Sequence, residues 1–334
     1  MATIFGRHQG NEAPMELIFW GARGSSPVVM SHAKLLVFLE NLVEKAKTQS
    51  VGSLDELVAA AKAGRLGTPL HFGGHTPCTE VAHESERFFV DMGSGLREAG
   101  TKYLGKQKEF VFFLTHMHWD HLIGLNFFVP IFVPGNKLTI YHVHKTAPEH
   151  VRIMFNGINF PLRWDQLGAE VEFKEVRLYD KLQLGQVQVS PFALDHPGGS
   201  FGWRFEGGGK SCAVGFDGEY SRVSREELGR DLPYYQNLDL LVFDAQYELE
   251  ELLNKHDWGH SSAPIGIDLA LREGIKQLVL IHHDPWATDQ KLHDSLIQAQ
   301  KYVKINLKRH AGQWKTHPEG PRLVSAYDGL TIKL

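Results

Sequence analysis

The sequence predicts a sheet-rich α/β fold on three observations. Short apolar runs of strand length recur along most of the chain, helical stretches separate several of them, and 43% apolar with 11% aromatic residues is ample for a sizeable core. In order, the expected strands are Glu16 to Trp20, Cys78 to Ala82, Arg87 to Asp91, Phe110 to Leu114, Leu138 to Val143, Val187 to Leu194 and Phe201 to Phe205. Ser211 to Phe216, Leu238 to Asp244, Gln277 to Ile281 and Arg322 to Leu334 continue the series. Residues 31–65 differ: Leu35, Leu36, Leu39, Leu42 and Val43 fall at helical spacing, and Ser53-Leu54-Asp55-Glu56 has the form of a capping box opening a second helix. This stretch reads as a helical insertion that covers the core, closes over a site or reaches a second subunit. No low-complexity linker or short-period repeat interrupts the chain, so one domain over residues 1–334 is the economical organisation.

Charge and cysteine content narrow the classes. The 35 basic against 39 acidic residues leave a formal charge of −4, which advertises no polyanion partner and disfavours large nucleic acid. Only Cys78 and Cys212 occur, so no disulfide framework is called for, and the start Met-Ala-Thr-Ile-Phe-Gly-Arg-His lacks the apolar core of a signal peptide. No apolar run approaches the roughly 20 residues that span a bilayer. A cytoplasmic protein away from membranes is the expectation.

The chemistry gathers in Thr115-His116-Met117-His118-Trp119-Asp120-His121, directly after the run Phe110 to Leu114. Side chains alternate along an extended chain, so His116 and His118 can point the same way and chelate one cation through neutral imidazole. Asp120 and His121 lie beyond them and suit a turn that faces a second cation. Four ligand-type residues in one loop leave both cations incompletely coordinated, which demands further His, Asp or Glu at later strand ends. His196 follows Val187 to Leu194, and Asp217 follows Ser211 to Phe216, where a simple turn former is the alternative. After Ile281 stand both His282 and His283, one pointing inward and the other away; spacing alone does not choose.

This order of motifs resembles the metallo-β-lactamase superfamily, with its His-x-His-x-Asp-His run followed by a His, a bridging Asp and a last His at successive strand ends. The likeness spans nearly the whole chain and implies a four-layer αββα sandwich with the helical insertion near the N-terminus. It assigns His116, His118 and His196 to a first metal, Asp120, His121 and His282 to a second, and Asp217 to the bridge. Many zinc β-lactamases carry Cys at the bridging step, whereas phosphodiesterases and ribonuclease Z-like enzymes carry Asp. A hard anionic bridge holds two cations about 3.5 to 4 Å apart, which suits the attacking and leaving oxygens on phosphorus. Trp20-Gly21-Ala22-Arg23-Gly24-Ser25-Ser26-Pro27, Phe72-Gly73-Gly74-His75-Thr76-Pro77-Cys78, Asp91-Met92-Gly93-Ser94-Gly95 and His196-Pro197-Gly198-Gly199 are similar to a bacterial and phage branch that holds cyclic-nucleotide phosphodiesterases, near the anti-Pycsar proteins. Phe243-Asp244-Ala245-Gln246-Tyr247 and Gly259-His260-Ser261-Ser262 resemble the acidic and His motifs of that branch and of ribonuclease Z. Carried over, Asp244 orients His260, and His260 assists the departing oxygen. A helix entry at Ser261, Ser262 and Pro264 is the plainer reading of His260. The chain departs from the pattern at His75, where Asn is usual, and at Gln246, where ribonuclease Z has Thr, and it lacks the Gly/Pro-rich arm that ribonuclease Z uses on tRNA.

The resemblance implies a di-metal phosphodiesterase that hydrolyses small cyclic nucleotides to linear nucleoside monophosphates with metal-activated water. Zn2+ is favoured by five imidazoles among the ligands and Mn2+ is the alternative. Asp120 also orients the nucleophile, and the backbone N–H groups of Gly198, Gly199 and Ser200 are candidates to bind phosphoryl oxygens. Trp119, Phe127, Phe128, Trp203 and Trp258 lie beside ligand motifs and read first as core packing, while Arg23 and Arg97 are candidates to meet phosphate. A homodimer is expected, with the insertion packing on the neighbouring subunit or over the site. The alternatives are an RNA 3'-processing nuclease or a lactonase of the same fold, for which Tyr220 and Tyr247 are the relevant residues, and a nucleotide-binding protein that does not cleave.

Overall fold

The computed structural model describes residues 14–48, 53–62, 69–222, 224–255, 257–310 and 318–334. The first half of the chain supplies strands β1 (Glu16–Gly21), β2 (Cys78–His83), β3 (Glu86–Val90), β4 (Glu109–Phe113), β5 (Lys137–His142) and β6 (Glu170–Glu175). The second supplies β7 (Leu182–Leu184), β8 (Val187–Leu194), β9 (Ser200–Gly207), β10 (Lys210–Gly215), β11 (Leu240–Asp244), β12 (Gln277–Ile281) and β13 (Arg322–Ser325), and β14 (Leu330–Lys333) returns to the first. They form two seven-stranded sheets, ordered β14-β1-β2-β3-β4-β5-β6 and β13-β12-β11-β10-β9-β8-β7. In each sheet an antiparallel half, β14 to β3 and β7 to β10, gives way to a parallel half, β3 to β6 and β10 to β13. Two residues close the hairpins β2–β3, β7–β8 and β9–β10, while each parallel step needs a longer crossover. Gly208 and Gly209 join β9 to β10 with φ of 55° and 67°, a left-handed pair that glycine adopts without strain.

Three apolar layers hold the sandwich. Phe19, Phe113, Trp203, Val214, Val242 and Ile281 are buried between the sheets. Outside the first sheet, helix Leu96–Tyr103 and the turns after β4 pack on Phe89, Phe110 and Phe112. Outside the second, helices Ala263–Glu273 and Asp289–Arg309 lay Ile267, Leu271, Leu296 and Val303 on Leu241, Phe243 and Leu278. The result is the expected αββα arrangement.

Several expectations shift. Arg322 to Leu334 is two strands because Ala326 to Gly329 turn between them; Gly329 sits at φ 86° and Asp328 accepts from Gly74 N at 2.9 Å and His75 N at 3.0 Å. β6 and β7 were not anticipated: β6 interleaves charges with its apolar residues, and β7 has three residues. Asp91 is not the last residue of its strand but a left-handed turn position, φ 60°.

The insertion forms helices His32–Thr48 and Leu54–Lys62, with 49–52 and 63–65 of the expected span outside the described residues. Ser53 Oγ accepts from Glu56 N at 3.2 Å, as a capping residue does. Leu57 is buried, whereas Leu35, Leu36, Val37, Leu39 and Val43 are 40 to 55% exposed. A cleft of about 840 Å³ opens beside the first helix, lined among others by Val29, Met30, Phe38, Leu42, Leu70 and Trp286. Among the described residues, no helix is long and apolar enough to cross a membrane.

Candidate metal centre

The C-terminal ends of β3, β4, β8, β10, β11 and β12 converge on one side of the sandwich and carry Asp91, His116 to His121, His196, Asp217, Asp244 and His282. Asp217, fully buried after β10, lies at the middle. Its Oδ1 is 3.1 Å from His121 Nε2 and 3.0 Å from His282 Nε2, and its Oδ2 is 3.5 Å from His116 Nε2 and 3.9 Å from His196 Nε2. Each oxygen of one carboxylate therefore faces a different set of imidazoles. Asp120 Oδ2 stands 3.2 Å from His121 Nε2 and 3.3 Å from His282 Nε2, on the Oδ1 side. His118 stands with His116 and His196, its Nδ1 3.2 Å from His196 Nε2. The donor atoms of His116, His118, His196 and Asp217 lie within 4.8 Å of one another, as do those of Asp120, His121, Asp217 and His282.

The back of each ring is held so that the front is aimed. Nδ1 of His121 meets Asp91 Oδ2 at 2.7 Å, Nδ1 of His196 donates to Gly259 O at 2.8 Å, Nδ1 of His282 meets Gln246 Oε1 at 2.7 Å, and Nδ1 of His116 is 3.0 Å from Thr115 Oγ1. Asp91 also accepts from Thr115 N and Oγ1, at 2.8 and 2.6 Å. Fixing one ring nitrogen selects the tautomer that offers Nε2 to a cation. Sequence alone assigns Asp91 and Gln246 no role; a carboxylate directly after a strand and an amide two residues past Asp244 are the available signals. Glycine makes room here too: a Cβ on Gly24 would lie 2.4 Å from His282 Nδ1.

Spacing leaves His282 and His283 open and the family resemblance assigns His282; the backbone gives the two rings different directions. His282 takes φ 64°, turning its ring toward Asp120 and Asp217. His283 points into the core, where Nε2 donates to Ala326 O at 2.9 Å and burial pushes its pKa down to about 3.

Electrostatics and unsatisfied atoms both fit a divalent cation. His116 Nε2, His121 Nε2 and Asp217 Oδ1 are buried without a hydrogen-bond partner, a costly state unless a cation meets them. Burial disfavours charge on His121 and His282, yet Asp217 and Asp120 outweigh it, raising His121 well above the usual imidazole range and His282 to about 10. Burial likewise works against the Asp120 and Asp217 carboxylates, and the facing imidazoles hold both well below their ordinary value. For His116 and His196 burial prevails and keeps the rings neutral, the form that ligates.

Beside the centre, His260 Nδ1 donates to Asp244 Oδ2 at 2.8 Å, and its ring stacks on His282 at 4.9 Å. Asp244 is fully buried and accepts from Gly218 N at 3.2 Å and Gln246 N at 3.1 Å. His260 also lies just before a helix, which begins at Ala263 after Ser262. Other candidates are placed differently. Gly199 N donates to His196 O at 2.9 Å within the turn, and Ser200 is a buried residue of β9, which removes Gly199 N–H from the set free to bind phosphate. Arg23 is 2% exposed and donates to the carbonyls of Gly73, Asp284 and Ala287, so it ties loops together and does not face a ligand. Arg97 pairs with Glu98 at the surface.

Clustered His and Asp side chains at the strand ends of an αββα sandwich define the class, a metallo-β-lactamase-fold hydrolase with a divalent-metal site. The sequence profile described as "Beta-lactamase superfamily domain" matches residues 87–283, and the chain belongs to that family. It is 22% identical over 267 residues to Ribonuclease Z of Archaeoglobus fulgidus, across 66% of this chain and 85% of the relative. The metallo-β-lactamase fold protein YhfI from Bacillus subtilis superposes with a TM-score of 0.62 at 15% identity, over 97% of this chain and all of that one. A diphosphatase from the PhnP family does so with a TM-score of 0.59 at 18% identity, over 96% and 98% of the two chains.

Proposed function

We propose that this protein is a di-metal phosphodiesterase that hydrolyses small cyclic nucleotides to linear nucleoside monophosphates. The observation that carries the reading is Asp217, whose two oxygens face two sets of imidazoles across one carboxylate. His116, His118, His196 and Asp217 would hold one cation, and Asp120, His121, His282 and Asp217 the other; five imidazoles favour zinc. Divalent cations held there would supply a lowered pKa for water and a positive field for phosphoryl oxygens. Asp120, fixed by Ser25 N at 2.9 Å, orients the nucleophile. Asp244 holds His260 by Nδ1, which leaves Nε2 as the atom that passes a proton to the departing oxygen. Of the turn after His196, Ser200 pairs with Leu194 in the β8–β9 ladder, which leaves the N–H of Gly198 as the remaining candidate for phosphoryl oxygens. On the same reading the chain is one domain and works in the cytoplasm as a homodimer, with the apolar face of His32–Thr48 as the contact.

A second reading, an RNA-processing nuclease, is favoured by one observation: the Archaeoglobus fulgidus relative is a Ribonuclease Z. The same centre would serve either substrate, so the test is direct. Metal-loaded protein is incubated with cyclic purine and pyrimidine nucleotides, a linear phosphodiester, pre-tRNA and a lactone, and products are separated by chromatography. Linear monophosphate from the cyclic substrates supports the first reading, trimmed tRNA with no cyclic-nucleotide turnover supports the second, and lactone opening alone overturns both.

A further inference from the structure

The aromatic residues that flank the ligand motifs divide into two groups. Trp203 and Phe128 are fully buried, as packing residues should be, whereas Trp119 exposes 71% of its surface, Trp258 58% and Phe127 54%, the last with its ring edge-on to Phe160 at 6.1 Å. Both exposed indoles are next to the centre's residues in the chain. Among the seven candidate ligands His118 is the exposed one; the His196 side chain is 1% exposed, and the other five residues are buried. The His118 and His196 rings are 4.9 Å apart. Trp119 is the residue between His118 and Asp120, and Trp258 directly precedes Gly259, whose carbonyl holds His196 Nδ1.

The backbone holds Trp258 in this position. Gly259 sits at φ 80°, and a Cβ there would lie 2.1 Å from His196 Nδ1 and 2.5 Å from Pro197, so only glycine lets the chain pass this close. The indole is braced from one side: Tyr247 meets it edge-on at 6.4 Å, and Lys255 Nζ lies 3.6 Å from the Tyr247 ring centre and 5.8 Å from that of Trp258. Most of its surface remains in water. Two largely exposed indoles beside a charged centre leave most of their faces in water, and a planar apolar group arriving there would cover them.

We infer that Trp119 and Trp258 form a stacking site for the nucleobase of a substrate whose phosphate reaches the metal centre. The inference rests on the phosphodiester reading above and names the part of the substrate that is selected. Indole faces stack on any base, worth roughly 1 to 3 kcal/mol each, and Nε1–H is the single polar group either side chain offers. The site therefore accepts purines and pyrimidines alike and favours the larger purine surface.

The test compares metal-loaded wild type with Trp119→Ala, Trp258→Ala and the corresponding Phe variants. The substrates are adenosine 3',5'-cyclic phosphate and 1-O-methylribose 3',5'-cyclic phosphate, which keeps the sugar and phosphate and lacks the base. Binding of AMP and of ribose 5-phosphate is followed in parallel by tryptophan fluorescence. Each Ala variant should lose roughly 10- to 100-fold in the kcat/KM ratio of base-bearing to base-free substrate, mainly through KM, with Phe restoring most of it. AMP should quench wild-type emission more than ribose 5-phosphate does. An unchanged ratio in both Ala variants overturns the stacking site and leaves the phosphodiester reading standing. Base-dependent quenching that the Ala variants lose, with no turnover of either cyclic substrate, upholds the stacking site and overturns the hydrolysis. Wild type that ignores the base in both assays overturns the stacking site.

Discussion

Around Asp217 the imidazoles are held from behind by Asp91, Gln246 and the Gly259 carbonyl and aimed from in front at a carboxylate, while along His32–Thr48 five large apolar side chains stand 40 to 55% exposed. Both regions carry unmet demands, and the demands differ in kind. A buried nitrogen or oxygen needs a partner at one distance and direction, so its surroundings specify what must arrive. An apolar face needs only to leave water, so many surfaces would serve. Polar burial is informative and apolar exposure is ambiguous.

Substitutions should respect that difference. The largest effect is expected from Asp217→Ala, which removes the group shared by both sets: metal content should fall from about two ions per chain to one or fewer and turnover by about 10³-fold or more. Elemental analysis beside a rate assay reads it, and a variant that keeps two ions and its activity ends the shared-carboxylate account. Next, on the proposed role of His260 at the leaving oxygen with Asp244 holding it, Asp244→Asn and His260→Ala should each lower turnover by about 10²- to 10⁴-fold with metal content nearly intact. Parental rates in either would return His260 to a helix-entry role.

Asp91→Asn and Gln246→Ala should weaken metal affinity by about 10- to 100-fold, since they aim ligands without being ligands. Competition with a chelator measures this, and unchanged affinity would show that the rings are fixed by packing alone. Proton linkage gives a further contrast. In the metal-free fold His282 keeps its proton up to about pH 10, against about 6.5 when unfolded, so its ion pairs stabilise that fold fully below pH 6.5 and are lost as pH rises toward 10. Thermal unfolding across this window should show the apoprotein losing stability relative to the metal-loaded form; parallel curves would mean that His282 is neutral without metal. The smallest effect belongs to the helix. Leu36→Asp or Val43→Asp should change folding stability by about 0.5 kcal/mol or less, and light scattering should show a lower mass if this face joins two subunits. A stability loss of several kcal/mol would instead show that the chain's own core covers it.

The same difference explains what the sequence disclosed. His116, His118, Asp120 and His121 were legible because four ligand-type residues directly after an apolar run are hard to explain otherwise, whereas His196 and Asp217 stand alone at their strand ends and were singled out by the family resemblance. Spacing could not choose His282 over His283 either, since the choice depends on a left-handed backbone angle with no signature in spacing, and there too the resemblance chose. Asp91 and Gln246 escaped assignment because a residue that orients a ligand looks, in one dimension, like any polar residue near a strand end. Most strands were legible from apolar runs, whereas β6, with alternating charges, and β7, with three residues, fall below what periodicity detects. Trp119 and Trp258 were misjudged for a physical reason: aromatics beside apolar strands usually pack, and only the positions of Gly259 and the exposed His118 reveal that these two do not.

That the facing ligands come from both sheets also sets a timetable. His116 to His121 leave the ribosome before any of β7 to β12 exists, and His282 is added 282 − 116 = 166 residues after His116. At roughly 5 to 20 residues per second, synthesis of that interval takes on the order of ten to thirty seconds. For about the first half of it the nascent chain displays His-x-His-x-Asp-His without His196 or Asp217, and the full ligand set exists only once β12 has been made. A cation met early would find part of a site, and the whole of it only on a chain whose second sheet has formed.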